Sequence, residues 1–219
     1  MSDLLPLFPL PSTVLFPNVF LPLHIFEPRY RAMVADAVEG DRLIGMVLLR
    51  PGWERDYDGR PPVYPIGCSG LLTHVERLAD GRYNIVLRGV ERFRVLKEDP
   101  CRGYRRAEVE PLAERELAAD DRAAIKLQRS KLEELLTPHE SRSGVRHAQT
   151  ADSNLPKIPS GMPDEDLVNA LAQYLDLEPL EKQALLEQQN LRARAESLVE
   201  LLEMKILIAR TPGVSTVAH

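Results

Sequence analysis

Six prolines stand in the first 28 residues, at Pro6, Pro9, Pro11, Pro17, Pro22 and Pro28. Proline fixes φ, lacks the N–H that a helix interior needs, and in sheets is confined to edges, strand starts and bulges. No helix fits before Pro28, so the chain must open with short extended segments joined by turns. The spacing predicts an edge strand over 4–10 and extended segments over 14–16 and 19–25, separated by a Pro17-Asn18 turn. Pro28 suits the first turn of a helix, where its missing N–H would be unpaired anyway. Behind it Tyr30, Met33, Val34, Ala37 and Val38 form an apolar stripe at helical spacing, and Gly40 supplies the stop.

The continuous apolar run 43–49 is short enough for a buried strand. A polar loop over 51–62 carries Trp53 and Tyr57. Residues 63–78 and 82–97 read as a long hairpin closed by Asp80-Gly81, a dipeptide that accepts positive φ. Tyr83, Ile85 and Leu87 alternate, but Val90, Phe93 and Val95 fall out of phase, and a bulge near Gly89 would return them to the core. Residues 104–109 close the β-rich part. Helical spacing then predicts helices over 120–136, 164–174, 179–188 and 191–210, with a polar loop over 138–163 rich in Ser, Pro, Gly and charge. The last helix carries an apolar stripe at Leu191, Ala195, Leu198, Leu202, Ile206 and Ala209. The expected organisation is α+β, with a β-rich subdomain over 1–112 and a helical subdomain over 113–219.

The 219 residues carry a net charge of −5. Phosphate-binding surfaces need clustered Lys and Arg, so nucleic acid is disfavoured. The basic residues Arg88, Arg92, Arg94, Lys97, Arg102, Arg105 and Arg106 are interleaved with Glu91, Glu98, Asp99, Glu108 and Glu110, which predicts a mixed-sign solvated surface. Two cysteines, Cys68 and Cys101, make no disulfide framework and are expected to be free thiols. The N-terminus lacks a basic segment before an uninterrupted apolar run, and no apolar stretch is long enough to span a bilayer. A cytoplasmic protein without membrane association is expected.

Catalytic chemistry finds little support. No Gly-Lys pair exists, so a phosphate-cradling Walker A loop is excluded. Ser130-Lys131 lies on a predicted helix, where adjacent side chains point apart. His24 and Glu27 lack a third metal ligand and read as capping and buried hydrogen-bonding groups at the start of a helix. His139 and His147 lie in the polar loop, and Cys68 reads as a core thiol. No metal, no cofactor and no enzymatic activity are expected.

Three blocks carry a family resemblance: Leu5-Pro6-Leu7-Phe8-Pro9-Leu10, Val14-Leu15-Phe16-Pro17, and Leu21-Pro22-Leu23-His24-Ile25-Phe26-Glu27-Pro28-Arg29-Tyr30. Together they resemble the opening of the Lon protease N-terminal, substrate-binding domain family. Gly67-Cys68-Ser69-Gly70, Asp80-Gly81-Arg82-Tyr83-Asn84-Ile85, Gly89-Val90-Glu91-Arg92-Phe93-Arg94 and the stretch 177–187 are similar too. The resemblance implies a PUA-like β pseudobarrel with one inserted helix, followed by a C-terminal helical bundle. It implies a binding module for unfolded or damaged polypeptide, an adaptor role in protein quality control, and an ATP-dependent protease as partner. Because the sequence stops at His219, a stand-alone form without ATPase or peptidase modules is expected. The rival reading is a PUA-like RNA-binding protein, which the fold analogy supports and the acidic balance opposes.

For a polypeptide-binding surface the candidates are Phe16, Phe20, Trp53, Tyr57 and Tyr64. Large apolar side chains in loops can line a groove for extended polypeptide. The structural alternative is that they lid the barrel, which is favoured for Phe16 and Phe20 and evenly balanced for Trp53 and Tyr57.

Overall fold

Strand boundaries follow the proline and glycine positions in the computed structural model, which describes residues 4–57, 59–99, 103–114, 117–136 and 161–210. Strand β1 is Leu5–Leu10 and β2 is Phe20–Ile25. Helix α1, Pro28–Glu39, begins with proline at its first turn and ends at Gly40, whose N–H bonds back to Asp36 and Ala37. Strand β3 is Leu43–Leu48, followed by a 3₁₀ turn, Trp53–Asp56, inside the predicted polar loop. Strands β4, Ile66–Arg77, and β5, Tyr83–Asp99, form the long hairpin, and β6 is Arg106–Leu112. The helices are α2, Ala119–Leu136, α3, Asp164–Tyr174, α4, Pro179–Leu186, and α5, Leu191–Arg210. Segment 14–16 is buried but is not a strand. Most of the polar loop predicted over 138–163 lies outside the described residues, as do Cys101 and Arg102.

The six strands form one mixed sheet in the order β2-β5-β4-β3-β1-β6, with β5 also pairing β6. Among the described residues only β1 and β3 run parallel. The 17-residue strand β5 makes this arrangement possible. One of its edges pairs with β4 along most of its length, from Tyr83 to Arg94. The other serves β2 over 83–88 and β6 over 92–99. The pairings β5–β4–β3–β1–β6–β5 therefore close into a ring, with β2 attached outside it.

The hairpin turn places Gly81 at φ +80, as the Asp-Gly signal requires. A bulge falls where the phase break predicted one. Cys68 faces Arg92 and Gly70 faces Gly89, so β5 spends one residue more than β4 across this interval. Gly89 is required for a second reason, since a Cβ there would collide with the Phe16 carbonyl. The bulge returns Phe93 to the interior, where it packs with Leu7, Val47 and Ala107. Val90 does not follow it. It sits in the bulge itself and is exposed.

The chain divides into two compact units, and the division cuts across the expected boundary near residue 112. The first comprises residues 1–115 and 169–188, the second 116–168 and 189–219. Long-range hydrogen bonds explain the grouping of the first. The Phe16 N–H donates to Gln173 Oε1 at 3.2 Å, and Gln183 Nε2 donates to the Ile66 carbonyl at 2.9 Å. Arg92 donates to the carbonyls of Leu186 and Gln188 at the end of α4, and pairs with Glu114 at 3.2 Å. In the second unit α2 and α5 pack together. Ile125 and Leu132 are buried on α2, and Leu191, Ala195, Leu198 and Leu202 on α5. Ile206 is half-buried and Ala209 exposed, so the apolar stripe of α5 outlasts its burial.

The basic stretch is mixed in sign, as its interleaving predicts, but not wholly solvated. Arg92 and Arg105 are buried. Arg105 pairs with Glu98, Arg106 with Asp99 and Arg94 with Glu110. The buried guanidiniums of Arg92 and Arg105 are committed to the fold, whereas Arg94 stays at the surface.

Candidate functional site

The five candidate residues do not share one environment. Phe16 is wholly buried, at 0% exposure, because its segment is tied down by Gln173 and by the Asn18 and Gly89 backbones. Its side chain offers nothing to a surface ligand and leaves the candidate set. Phe20, four residues on, is 50% exposed. Trp53, Tyr57 and Tyr64 are half-buried.

Phe20 opens the outer face of β2. Phe20, Pro22 and His24 are exposed along the strand, while Leu21, Leu23 and Ile25 are more covered, the alternation a one-sided strand must show. Phe26 continues the exposed line at 60%. Tyr174 lies beside it, itself 59% exposed, with its hydroxyl donating to the Phe20 carbonyl at 2.9 Å. His24 is not a buried capping group. Its Nδ1–H donates to Asn84 Oδ1 at 2.8 Å, Asn84 Nδ2 donates to Glu76 at 2.8 Å, and Arg82 reaches His24 Nε2 at 3.3 Å. A polar cross-strand ladder thus borders an apolar line. Sequence reading missed Phe26 and Tyr174. Phe26 was discoverable, since it continues the alternation of 20, 22 and 24 past the strand end.

Among the described residues β2 pairs only with β5, so its other edge is open. Two features blunt it against strand addition. Pro22 has no N–H to offer, and the Phe20 carbonyl is already bonded by Tyr174. Recognition at this face must therefore rest on side chains.

A second cluster lies at the start of α1. The Glu27 carboxylate was expected to cap the helix, but α1 has no side-chain cap. Glu27 instead accepts from Tyr57 Oη at 2.6 Å and from Arg29 Nε at 3.0 Å. The Arg29 guanidinium lies over both the Tyr30 and Tyr57 rings, 4.7 and 4.8 Å from their centroids. Trp53 meets Tyr57 edge-on at 5.4 Å. The loop aromatics are thus fastened to the helix start instead of swinging free. Burial and then the hydrogen-bonded Glu27 carboxylate push the Tyr57 phenol up, so it remains a donor at neutral pH. Tyr64 stands apart from this cluster, its ring under Arg50 at 5.5 Å.

Nothing in these groups resembles an activated nucleophile. Cys68 is buried in the sheet, at 0% exposure. Among the described residues no three His, Cys, Asp or Glu side chains gather as a metal site. No helix among them is long and apolar enough to cross a membrane.

The profile of the family described as the ATP-dependent protease La (LON) substrate-binding domain matches residues 4–204. The chain belongs to that family. Among similar proteins are the Lon protease of Anaeromyxobacter dehalogenans, 27% identical over 210 residues, and that of Paraburkholderia phytofirmans, 29% identical over 211. These alignments take in 92% and 93% of this chain but only 23% and 24% of the proteases, so the chain spans about a quarter of their length. Two solved structures share the LON-domain fold. The N-terminal domain of Mycobacterium avium complex Lon protease superposes with a TM-score of 0.64 at 18% identity, covering 92% of this chain and 98% of that one. A Lon N-terminal domain protein from Xanthomonas campestris gives 0.54 at 22%, covering 96% and 99%. The LON substrate-binding fold here is therefore the mixed six-stranded sheet with the helices described above.

Proposed function

We propose that this LON-domain chain is a non-enzymatic, cytoplasmic binding module for unfolded or damaged polypeptide, acting as an adaptor to an ATP-dependent protease in protein quality control. The observation that carries the reading is the exposed apolar line Phe20–Pro22–Phe26 with Tyr174, in a chain of the substrate-binding family. Large exposed apolar side chains grouped on one face mark interaction surfaces. The half-buried Trp53 and Tyr57 form a second contact area, and Tyr64 a third. The closed ring of strand pairings supports a PUA-like pseudobarrel, and the packed α2 and α5 support a helical bundle after it.

Binding of this kind is tolerant of sequence, with a dissociation constant on the order of micromolar or weaker. The test is a titration of an unfolded model polypeptide and its folded form at two salt concentrations, followed by anisotropy and by the fluorescence of Trp53, the only tryptophan. The unfolded form should bind with little salt dependence and the folded form should not. Phe20→Asp and Trp53→Ala should each weaken binding while leaving the melting temperature nearly unchanged. Absence of saturable binding by either signal refutes the reading. Steep loss of affinity for RNA with added salt would replace it with the nucleic-acid alternative.

A further inference from the structure

A cavity of about 700 Å³ opens where the end of α1 meets β1, β3 and β6, wholly within the first compact unit. Its apolar wall is formed by Leu5, Leu43, Tyr104 and Val109. Leu5 and Val109 pack on the buried cluster of Leu7, Val47, Phe93 and Ala107, yet each stays half-buried. Leu43, at the start of β3, is half-buried as well. The core thus leaves apolar surface uncovered here, around a volume inside the roughly 300–1,000 Å³ of ordinary ligand sites. That space is larger than a single side chain.

The rim beside this apolar wall is acidic, with Asp36, Glu39 and Asp41. Asp36 accepts from the Tyr104 hydroxyl at 2.6 Å, which fixes its carboxylate at the edge of the apolar wall. Glu39 and Asp41 are exposed, and neither meets a cation among the described residues. The nearby cations are committed elsewhere. Arg106, the basic residue of the lining, pairs with Asp99. Arg42 follows Asp41 in the chain but turns its guanidinium to the Leu72 carbonyl, at 3.1 and 3.0 Å. Counting Asp99, four carboxylates stand against two guanidiniums, an excess of two negative charges. The negative pole of α1 adds to that excess, since its last turn carries no base. Acids in this place weaken the helix, and a local rule broken without a structural gain marks a functional position.

We propose that this cavity receives a basic residue of a bound polypeptide, a lysine or arginine flanked by apolar neighbours. The aliphatic stem and the neighbours lie on Leu5, Leu43 and Val109, and the cation stands at Glu39 and Asp41. This rests on the polypeptide reading above and adds a charge preference to it. The test titrates the full chain into three labelled, unfolded peptides that differ at one position inside an apolar run, which holds Lys, Gln or Glu. At low salt the Lys peptide should bind about three- to tenfold tighter than the Gln peptide, as solvent-facing ion pairs contribute, and the Glu peptide more weakly than either. The margin should shrink as salt is added. Glu39→Lys should cut the preference below about twofold while raising the melting temperature, because the same change relieves the helix pole. Asp41→Asn should lower the preference as well. Glu203→Lys, at an exposed position in the second unit, changes the net charge equally and should leave the preference intact. An equal loss in Glu203→Lys assigns the preference to overall charge and overturns the site. Equal binding of the three peptides also overturns it and leaves the polypeptide reading standing. If no peptide binds, the polypeptide reading fails and the site with it. Self-association of the chain that Glu39→Lys abolishes gives the cavity to a second copy and overturns the polypeptide occupant.

Discussion

Helices α1 and α4 begin with the same two residues, Glu27-Pro28 and Glu178-Pro179, and use them in opposite ways. In α4 the glutamate closes a capping box, and the Glu181 side chain accepts from the Glu178 backbone N–H at 2.7 Å. The far end of α4 meets the Arg92 guanidinium, a cation at the negative pole of the helix. The acids of its first turn and the cation at its far end both favour the helix, against the single acid at its C-cap, Glu187. In α1 the glutamate turns away from the backbone to hold Tyr57 and Arg29. The first turn has no acid and the last turn no base, while Asp36, Glu39 and Asp41 gather at the negative pole. These charges oppose the helix dipole. The contrast teaches that α4 is built for stability, whereas the start of α1 gives up a cap to organise a surface.

The largest effect should come from cutting α4's anchor. Arg92→Ala removes a buried cation, its ion pair with Glu114 and its bonds to two carbonyls, and should cost about 3–5 kcal/mol in urea unfolding. A loss below about 1 kcal/mol would show that α4 does not depend on Arg92. Next comes pH. The Tyr30 phenol has a raised value in the folded state, about 12 against the ordinary value near 10. Its contribution is therefore fully present below about pH 10 and is lost as pH rises toward 12. Tyr30→Phe should flatten that alkaline limb, and an unchanged limb would assign it to other groups.

The two glutamates give the sharpest test. Glu178→Ala should cost about 1 kcal/mol by loss of the cap. Glu27→Ala should leave α1 in place but shift the fluorescence of Trp53, because Tyr57 loses its acceptor. Equal behaviour of the two variants would erase the distinction drawn here. The smallest effect is a gain. Glu39→Lys puts a cation at the negative pole of α1 and should stabilise by about 0.3–1 kcal/mol at low salt, fading as salt is added.

Much of the fold was legible because local rules agreed with tertiary ones. Asp80-Gly81 marks a turn that needs positive φ, the phase break at Gly89 marks the bulge, Gly40 marks the end of α1, and α3 and α5 follow their apolar spacing to the ends. What segment 14–16 does was not legible, because its partner, Gln173, lies 157 residues away and no local signal announces it. The site was less legible for a related reason. The Glu-Pro pairs at 27 and 178 are alike in sequence, and only the arrival of Tyr57 and Arg29 diverts the first. Phe16 and Phe20 both flank a proline turn, yet one is interior and the other faces solvent. That separation depends on the Gln173 contact and the β5 pairing, which spacing does not encode.

The grouping of residues 169–188 with the β-rich part has a consequence for the order of events as the chain is made. The N-terminal strand β1 waits for β6, since Leu5 pairs with Ala107. The Phe16 N–H then waits for Gln173, and Arg92 for the last carbonyls of α4. Residues 116–168, which belong to the other unit, must emerge between these events. A ribosome-bound chain that has reached residue 115 thus holds every strand but not the partners that finish the first unit. Its folding is bound to be late and dominated by distant contacts, the slow regime for small proteins. A nascent chain arrested before residue 173 should expose the Phe16 segment to chaperones, and one arrested after 188 should not.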